Sequence, residues 1–287
     1  SITVYPMTAL SPELVNSESL AQLEANATTL LNNDLQSPYV KVILESGQFN
    51  KIIQQQKSYQ WTSEWEILSD DPLKALKDKN ALQRSNVLSG FIHAVNSAES
   101  SIDLISPYFV PGKNGTTLLT DAQANGRTVS VLTNSLAAND VVAVHGGYSK
   151  YRKPLLKGGV KLYELKPSMS AKSSNSWFGS SGASLHAKSG VFDHQNVYVG
   201  SFNLDPRSVS LNCEQGIMVK NSQLGQQMLG IFNTVTQPQY AWQVTLDKSN
   251  HLTWTDQNGI YTRDPEAKFS KRFKAFLTRI LPIESQL

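Results

Sequence analysis

The chain has 287 residues, enough for one large domain or two small ones. With 40% hydrophobic and 17% charged residues it is too apolar to be disordered, and its single cysteine, Cys213, excludes an intrachain disulfide. The formal net charge of +3 tolerates anionic partners without demonstrating them, and no apolar run approaches the roughly 20 residues of a membrane span.

Ser11-Pro12-Glu13 places a cap residue before a proline at a first helical position, and Leu20, Leu23, Ala27, Leu30 and Leu31 follow at helical spacing. A polar stretch from Gln48 to Gln60 separates this helix from a strand predicted over 61–68. Residues 1–85 therefore read as an N-terminal helical and peripheral region. From Asn86 the pattern becomes regular. Leu88, Phe91, Ile92 and Val95 share a helix face. Strands are expected over 102–105, 128–132 and 160–165, with helices over 117–124 and 141–156 between them. A Ser-rich loop over 168–184 carries Trp177-Phe178. Strands over 185–192, 197–201 and 211–220 come next, then a helix through Leu224, Met228, Ile231, Phe232 and Val235. A strand over 241–246 and a hairpin over 252–261, turning at Asn258-Gly259, precede a basic helix with Phe269, Phe273, Leu277 and Ile280 on one face. Strands alternating with helices make residues 86–287 an α/β lobe, a mixed β-sheet flanked by helices on both faces.

The chemistry concentrates in Leu185-His186-Ala187-Lys188-Ser189-Gly190-Val191-Phe192-Asp193. In extended chain, residues two apart share a side, so His186 and Lys188 project together, away from Leu185, Ala187 and Val191. Ser201 and Asn203 follow just past the next strand, and Asn212 and Glu214 share one face of the strand after it. Three neighbouring segments thus deliver His, Lys, Ser, Asn and Glu to one pocket. An imidazole acts as nucleophile or general acid and base near neutral pH, and a carboxylate behind it fixes its tautomer. Lysine, hydroxyl and carboxamide groups stabilise a phosphate oxygen. No carboxylate cluster or His/Cys spacing points to a metal, so the reaction implied is metal-free phosphodiester cleavage or exchange, with no cofactor.

His186-x-Lys188-x4-Asp193, then Gly200-Ser201-Phe202-Asn203 and Glu214, resembles the HKD signature of the phospholipase D superfamily. Ser106-Pro-Tyr-Phe-Val-Pro-Gly112, Thr133-Asn134-Ser135, His145-Gly-Gly-Tyr-Ser-Lys-Tyr-Arg-Lys-Pro154 and Leu281-Pro-Ile-Glu284 look like the C-terminal half of a bacterial cardiolipin synthase of that superfamily. The resemblance implies a phospholipase D/nuclease-like lobe and phosphatidyl transfer between phospholipids. One histidine attacks phosphorus to give a phosphohistidine. A second protonates the leaving alcohol and then deprotonates the incoming one. Carried over to this sequence, His186 is the catalytic histidine of this half, more readily the acid and base than the nucleophile. Lys188, Ser201 and Asn203 hold phosphate, Glu214 supports His186, and Asp193 has a supporting role or is only a turn residue. The implied substrate resembles phosphatidylglycerol, met at the surface of a bacterial cell membrane where the protein is peripheral.

Only one such motif is present, since none of His93, His145, His194 and His251 precedes a lysine by two residues. The second motif is therefore expected from another lobe. The start at Ser1 favours the N-terminal half of a longer chain, and the alternative is a homodimer partner. A phospholipase-type hydrolase, a nuclease acting as a homodimer and a lobe that only binds lipid or a partner remain as rival readings. A nuclease would need a denser basic groove, which argues against nucleic acid. Trp177 and Phe178 read as a lipid-interface pair or as a loop anchor folded back on the domain. His145 and its neighbours Lys150–Lys153 read as a solvated basic face before a headgroup site. Cys213 reads as a small buried residue. The terminal helix, with Lys268, Lys271, Arg272, Lys274 and Arg279, reads as packed on the sheet before lying on a membrane.

Overall fold

The computed structural model describes residues 61–76, 85–167 and 185–281, and five helical positions, Gln22, Ala25, Asn26, Thr28 and Thr29. The chain divides into two compact units, Ser1–Trp61 and Thr62–Leu287. The remainder of the predicted N-terminal helix, Trp177 and Phe178 lie outside the described residues.

The second unit is built on a ten-stranded sheet. Its elements are β1 (Trp65–Ser69), α1 (Asn86–Ser97), β2 (Ser101–Ile105), α2 (Gly112–Ala124), β3 (Thr128–Asn134), α3 (Val142–Ser149), α4 (Arg152–Lys157) and β4 (Lys161–Leu165). Then come β5 (Ser189–Phe192), β6 (Asn196–Gly200), α5 (Pro206–Ser210), β7 (Gln215–Lys220), α6 (Ser222–Val235), β8 (Ala241–Leu246), β9 (Leu252–Asp256), β10 (Gly259–Tyr261) and α7 (Phe269–Ile280). The spatial order is β1-β7-β6-β5-β2-β3-β4-β8-β9-β10. β2, β3 and β4 are parallel, joined by helical crossovers, while the pairs on either flank are antiparallel. The sheet is mixed for that reason.

The central strands are apolar because both faces are covered. On one face, Ile102, Leu104, Val129, Val131 and Leu162 pack with Phe91 and Val95 of α1, Leu119 of α2 and Leu155 of α4. On the other, Ile105, Leu132 and Leu165 pack with Phe232 and Val235 of α6 and with Leu185. Side chains cap the starts of α1 and α6. Ser85 Oγ accepts from the Leu88 N–H at 3.1 Å, and Asn221 Oδ1 from the Leu224 N–H at 2.9 Å.

Several predicted boundaries move. The strand expected over 185–192 begins only at Ser189. Its neighbour β2 ends at Ile105, opposite Ser189, and turns away at Ser106-Pro107, so residues 185–188 have no ladder partner there. The strand expected over 211–220 begins at Gln215. Asp205-Pro206 instead starts α5, with the Asp205 carboxylate accepting from the Ser208 N–H at 2.7 Å and proline in the first turn. Asn212 and Glu214 therefore precede the strand rather than sharing its face. The helix over 141–156 is two helices, because Pro154 is tolerated only in the first turn of a new one. The expected division at 85/86 also shifts. β1 pairs with β7 from Trp65↔Val219 to Ser69↔Gln215, so residues from Thr62 onward belong to the sheet unit.

Candidate active site

The sheet topology sets where the candidate side chains lie. β5 starts opposite the last residue of β2, β6 ends beside β5's start, and β7 starts beside β6's end. His186 and Lys188, Ser201 and Asn203, and Glu214 all lie in the connections at this one edge. It is the edge where the parallel strands β2 to β4 end, the place where open α/β sheets bind ligands.

Backbone and side-chain bonds fix each piece. Leu185, next to His186, is clamped at two points by Asn134: its N–H donates to Asn134 Oδ1 at 2.9 Å, and Asn134 Nδ2 donates to its carbonyl at 3.1 Å. Leu185 is buried and the His186 side chain is exposed at the site. The Lys188 carbonyl accepts from the Gly200 N–H at 3.2 Å, and Lys188 Nζ donates to the His186 carbonyl at 3.0 Å. Burial pulls the Lys188 ammonium below its ordinary pKa, against the carboxylates of Glu214, Asp205 and Asp140, which hold its proton on. Ser201 Oγ donates to the Glu214 carboxylate and accepts from the Gln215 N–H at 2.9 Å. The Asn203 amide oxygen is buried without a hydrogen-bond partner, an orphaned polar atom in the site segment.

Glu214 is itself held by a buried node. Asp70 Oδ2 accepts from the Glu214 N–H at 3.2 Å, while the Asp70 N–H donates to the Glu214 carbonyl at 2.9 Å. Asp70 also takes the Ser85 hydroxyl at 2.7 Å and pairs with Lys74, whose Nζ reaches the Ser208 carbonyl at 2.8 Å. Burial works to raise the Asp70 carboxyl, but Lys74, Ser85 and the N–H groups of Val87 and Glu214 outweigh it, and its pKa lies below the ordinary value. Asp70, Lys74, Asn134 and Asp205 escaped the reading of the residues as a site. Asp70-Asp71-Pro72 looks like a strand end, and no spacing rule links residue 70 to residue 214.

Asp193 is not brought to this edge. It sits at the far end of β5, about 13 Å of strand away from Ser189, in a left-handed turn with φ of 53°. Its carboxylate accepts from the N–H groups of Glu99, Ser100 and Ser101 and from Ser100 Oγ. Burial opposes these bonds, yet they hold its pKa below the ordinary value.

His145 is also elsewhere. It is buried rather than on a solvated face, and it contacts Arg152 and Asp264. Arg152 is buried too, paired with Glu164 at 2.9 Å and Asp264 at 2.8 Å, its guanidinium 4.8 Å from the Tyr148 ring centroid. Burial, then the charge of Arg152, push the His145 pKa down. Cys213 is exposed rather than buried. No helix among the described residues is long and apolar enough to cross a membrane.

Beside the site lies a cavity of about 770 Å³ between α1, the start of α2 and the 202–210 segment. Ile92, Phe109, Leu118, Phe202, Leu204 and Val209 contribute apolar walls. Phe202 and Leu204 line this cavity, and Ser201 and Asn203 alternate with them along the chain.

The chain contains a phospholipase D-like domain. Residues 91–236, about half of the chain, match the family model described as cardiolipin synthase, PLD-like domain, and the chain belongs to that family. Cardiolipin synthase C of Escherichia coli is 41% identical over 227 residues, covering 76% of this chain and 47% of that protein. Cardiolipin synthase A of Pseudomonas syringae is 29% identical over 138 residues, covering 48% of this chain and 25% of that protein. The chain thus spans less than half the length of these curated relatives. Among solved structures, the phosphatidylserine synthase of Haemophilus influenzae aligns with a TM-score of 0.49 at 15% identity, covering 81% of this chain and 53% of its own.

Proposed function

We propose that this lobe carries out phosphatidyl transfer on phospholipids, making cardiolipin from a phosphatidylglycerol-like substrate, with His186 as general acid and base. A histidine of a second lobe, on a longer chain or on another copy, attacks phosphorus and forms the N–P bond. As the P–O bond to the leaving alcohol breaks, His186 gives that oxygen its proton. His186 then takes a proton from the incoming headgroup hydroxyl, whose oxygen displaces the histidine nitrogen. Lys188 supplies positive charge to the non-bridging oxygens, the Ser201 hydroxyl, turned from Glu214 to the phosphate, supplies a donor, and a rotated Asn203 amide adds another. Glu214 orients Ser201, and through that segment the imidazole's surroundings. Asp193 acts as a structural staple on this reading, not on substrate.

The segment 201–205 carries the reading. There Ser201 and Asn203 alternate with Phe202 and Leu204, which line a cavity of about 770 Å³, of a size and lining that suit an acyl chain. A nucleic-acid substrate has no use for that cavity. The test is lipid turnover followed by mass spectrometry. The chain is incubated with phosphatidylglycerol and phosphatidylethanolamine vesicles in the presence of chelator, alone and joined to a lobe carrying a second His-x-Lys pair. Cardiolipin made by the parent and lost in His186→Ala is expected. Phosphatidic acid as the product would make it a hydrolase, and product unaffected by His186→Ala would overturn the assignment.

A further inference from the structure

An amphipathic helix at a domain surface ordinarily buries its apolar stripe. The helix α7 does the reverse. It packs on α3 through small and polar side chains: Ala275 is buried, and a Cβ added at Gly146 of α3 would meet Thr278 Oγ1 at 2.1 Å and the Ala275 carbonyl oxygen at 2.9 Å. Lys271 Nζ donates to the Ala137 carbonyl at 3.0 Å, and Arg272 to that of Asp264 at 2.8 Å. Phe269, Phe273, Phe276 and Ile280 recur at spacings of four, three and four. At 100° per residue they fall within about 60° of one another, and their centre lies roughly 130° from Ala275. All four face solvent, with Phe269 80% and Ile280 65% exposed, and Leu277 and Leu281 extend the patch. Such a contiguous apolar surface marks an interaction site.

The charge on this helix identifies what it meets. α7 holds Lys271, Arg272, Lys274 and Arg279 and no carboxylate. Lys274 and Arg279, with Lys268 at the N-cap, are exposed around the stripe. A second copy docked by the same stripe would set these cations against their own equivalents, because a two-fold contact pairs like with like. A bilayer with anionic headgroups offers both an apolar interior and the opposite charge. We propose that α7 is an interfacial membrane-binding helix, its Phe/Ile stripe entering the headgroup–acyl boundary of an anionic bilayer and its cations lying among the lipid phosphates. The opposite, packed side of the helix faces the protein. Lys271 reaches the turn that ends in Asp140, whose carboxylate accepts from Tyr108 Oη at 3.1 Å and lies close enough to Lys188 to favour its charged form.

Vesicle co-sedimentation of the whole chain tests this without turnover, so the membrane contact and the phosphatidyl-transfer reading can fail separately. The parent is expected to bind vesicles rich in phosphatidylglycerol, to bind pure phosphatidylcholine vesicles far less, and to weaken with salt. The double variant Phe273→Ser, Phe276→Ser removes side chains that are half exposed and belong to none of the buried cores. It should keep the parent's melting temperature and lose at least about tenfold in affinity for the anionic vesicles. Lys274→Glu with Arg279→Glu should abolish the preference for anionic lipid. As a second readout, Trp emission of Phe276→Trp should shift to the blue over the parent's own response when phosphatidylglycerol vesicles are added. Undiminished binding by the serine variant, equal binding of the parent to both vesicle types, or a parent dimer that the serine variant dissolves would overturn the proposal.

Discussion

Ser201 donates its hydroxyl hydrogen to the carboxylate of Glu214, thirteen residues further along, and takes the Gln215 N–H in return. Ser201 is thereby held with its oxygen at the site edge, and on the proposed reading its hydrogen turns from Glu214 to the phosphate when substrate binds. Ser201→Ala removes a donor to the developing phosphate charge, so turnover of phosphatidylglycerol should fall about 10²–10³-fold. The fold should survive, since the Ser201 N–H still donates to the Gln215 carbonyl at 2.8 Å. Steady-state kinetics beside a thermal melt separates the two effects.

Asn134 acts through Leu185. Replacing it with Leu leaves a buried N–H and a buried carbonyl unpaired, a loss of about 1–3 kcal/mol in denaturant unfolding. The His186 segment then moves freely, and kcat should drop about ten- to a hundredfold with KM little changed. A KM effect alone would mean that Asn134 contacts lipid.

Asp193 gives the opposite pattern. Asp193→Ala breaks the bonds to Glu99, Ser100 and Ser101 and should cost about 1–3 kcal/mol of stability, while turnover per folded molecule stays at the parent's level. Asp193 has a depressed pKa, so the stability it contributes is present above the ordinary value of 3.8 and is lost as pH falls below it. A turnover loss without a stability loss would return Asp193 to the catalytic set.

His145 sets the response to mild acid. Its pKa is lower in the folded chain than the ordinary 6.5, so only the unfolded chain takes up its proton as pH first falls below that value. Stability from the buried His145–Arg152–Asp264 cluster should therefore be full above pH 6.5 and decline on acidification below it. Melts from pH 7.5 to 5 on the parent and on His145→Gln should show a smaller decline in the variant. Arg152→Ala should lose about 3–5 kcal/mol, because it strands the buried Glu164 carboxylate.

The cavity makes a prediction about chain length. Ile92→Trp fills part of its volume, so KM for long-chain phosphatidylglycerol should rise about tenfold while a dihexanoyl lipid is turned over as before. Equal effects on both lipids would place the acyl chains elsewhere.

Residue order by itself determined much of this protein. The β-branched and aliphatic runs of β2, β3 and β4 are legible because strands covered on both faces need unbroken apolar sequence. His186 and Lys188 stand out because neither belongs in a core, and the spacing to Ser201, Asn203 and Glu214 followed from the short β5–β6 turn. Only the folded chain decided the rest. That the 185–188 stretch is held by the Asn134 side chain instead of a ladder depends on where β2 ends. That the Asp193 carboxylate, already legible as lying in the turn beyond its strand, is taken up by the N–H groups of Glu99, Ser100 and Ser101 depends on β2 beginning beside that turn. His145 and the basic stretch after it read as solvent-facing until Glu164 and Asp264, distant in sequence, bury Arg152 between them. The helix α7 is the clearest case. Its periodicity announces an apolar face, but periodicity carries no sign for which face a neighbour takes. Gly146 leaves room only for a close approach, so the small residues were packed and the phenylalanines left outside.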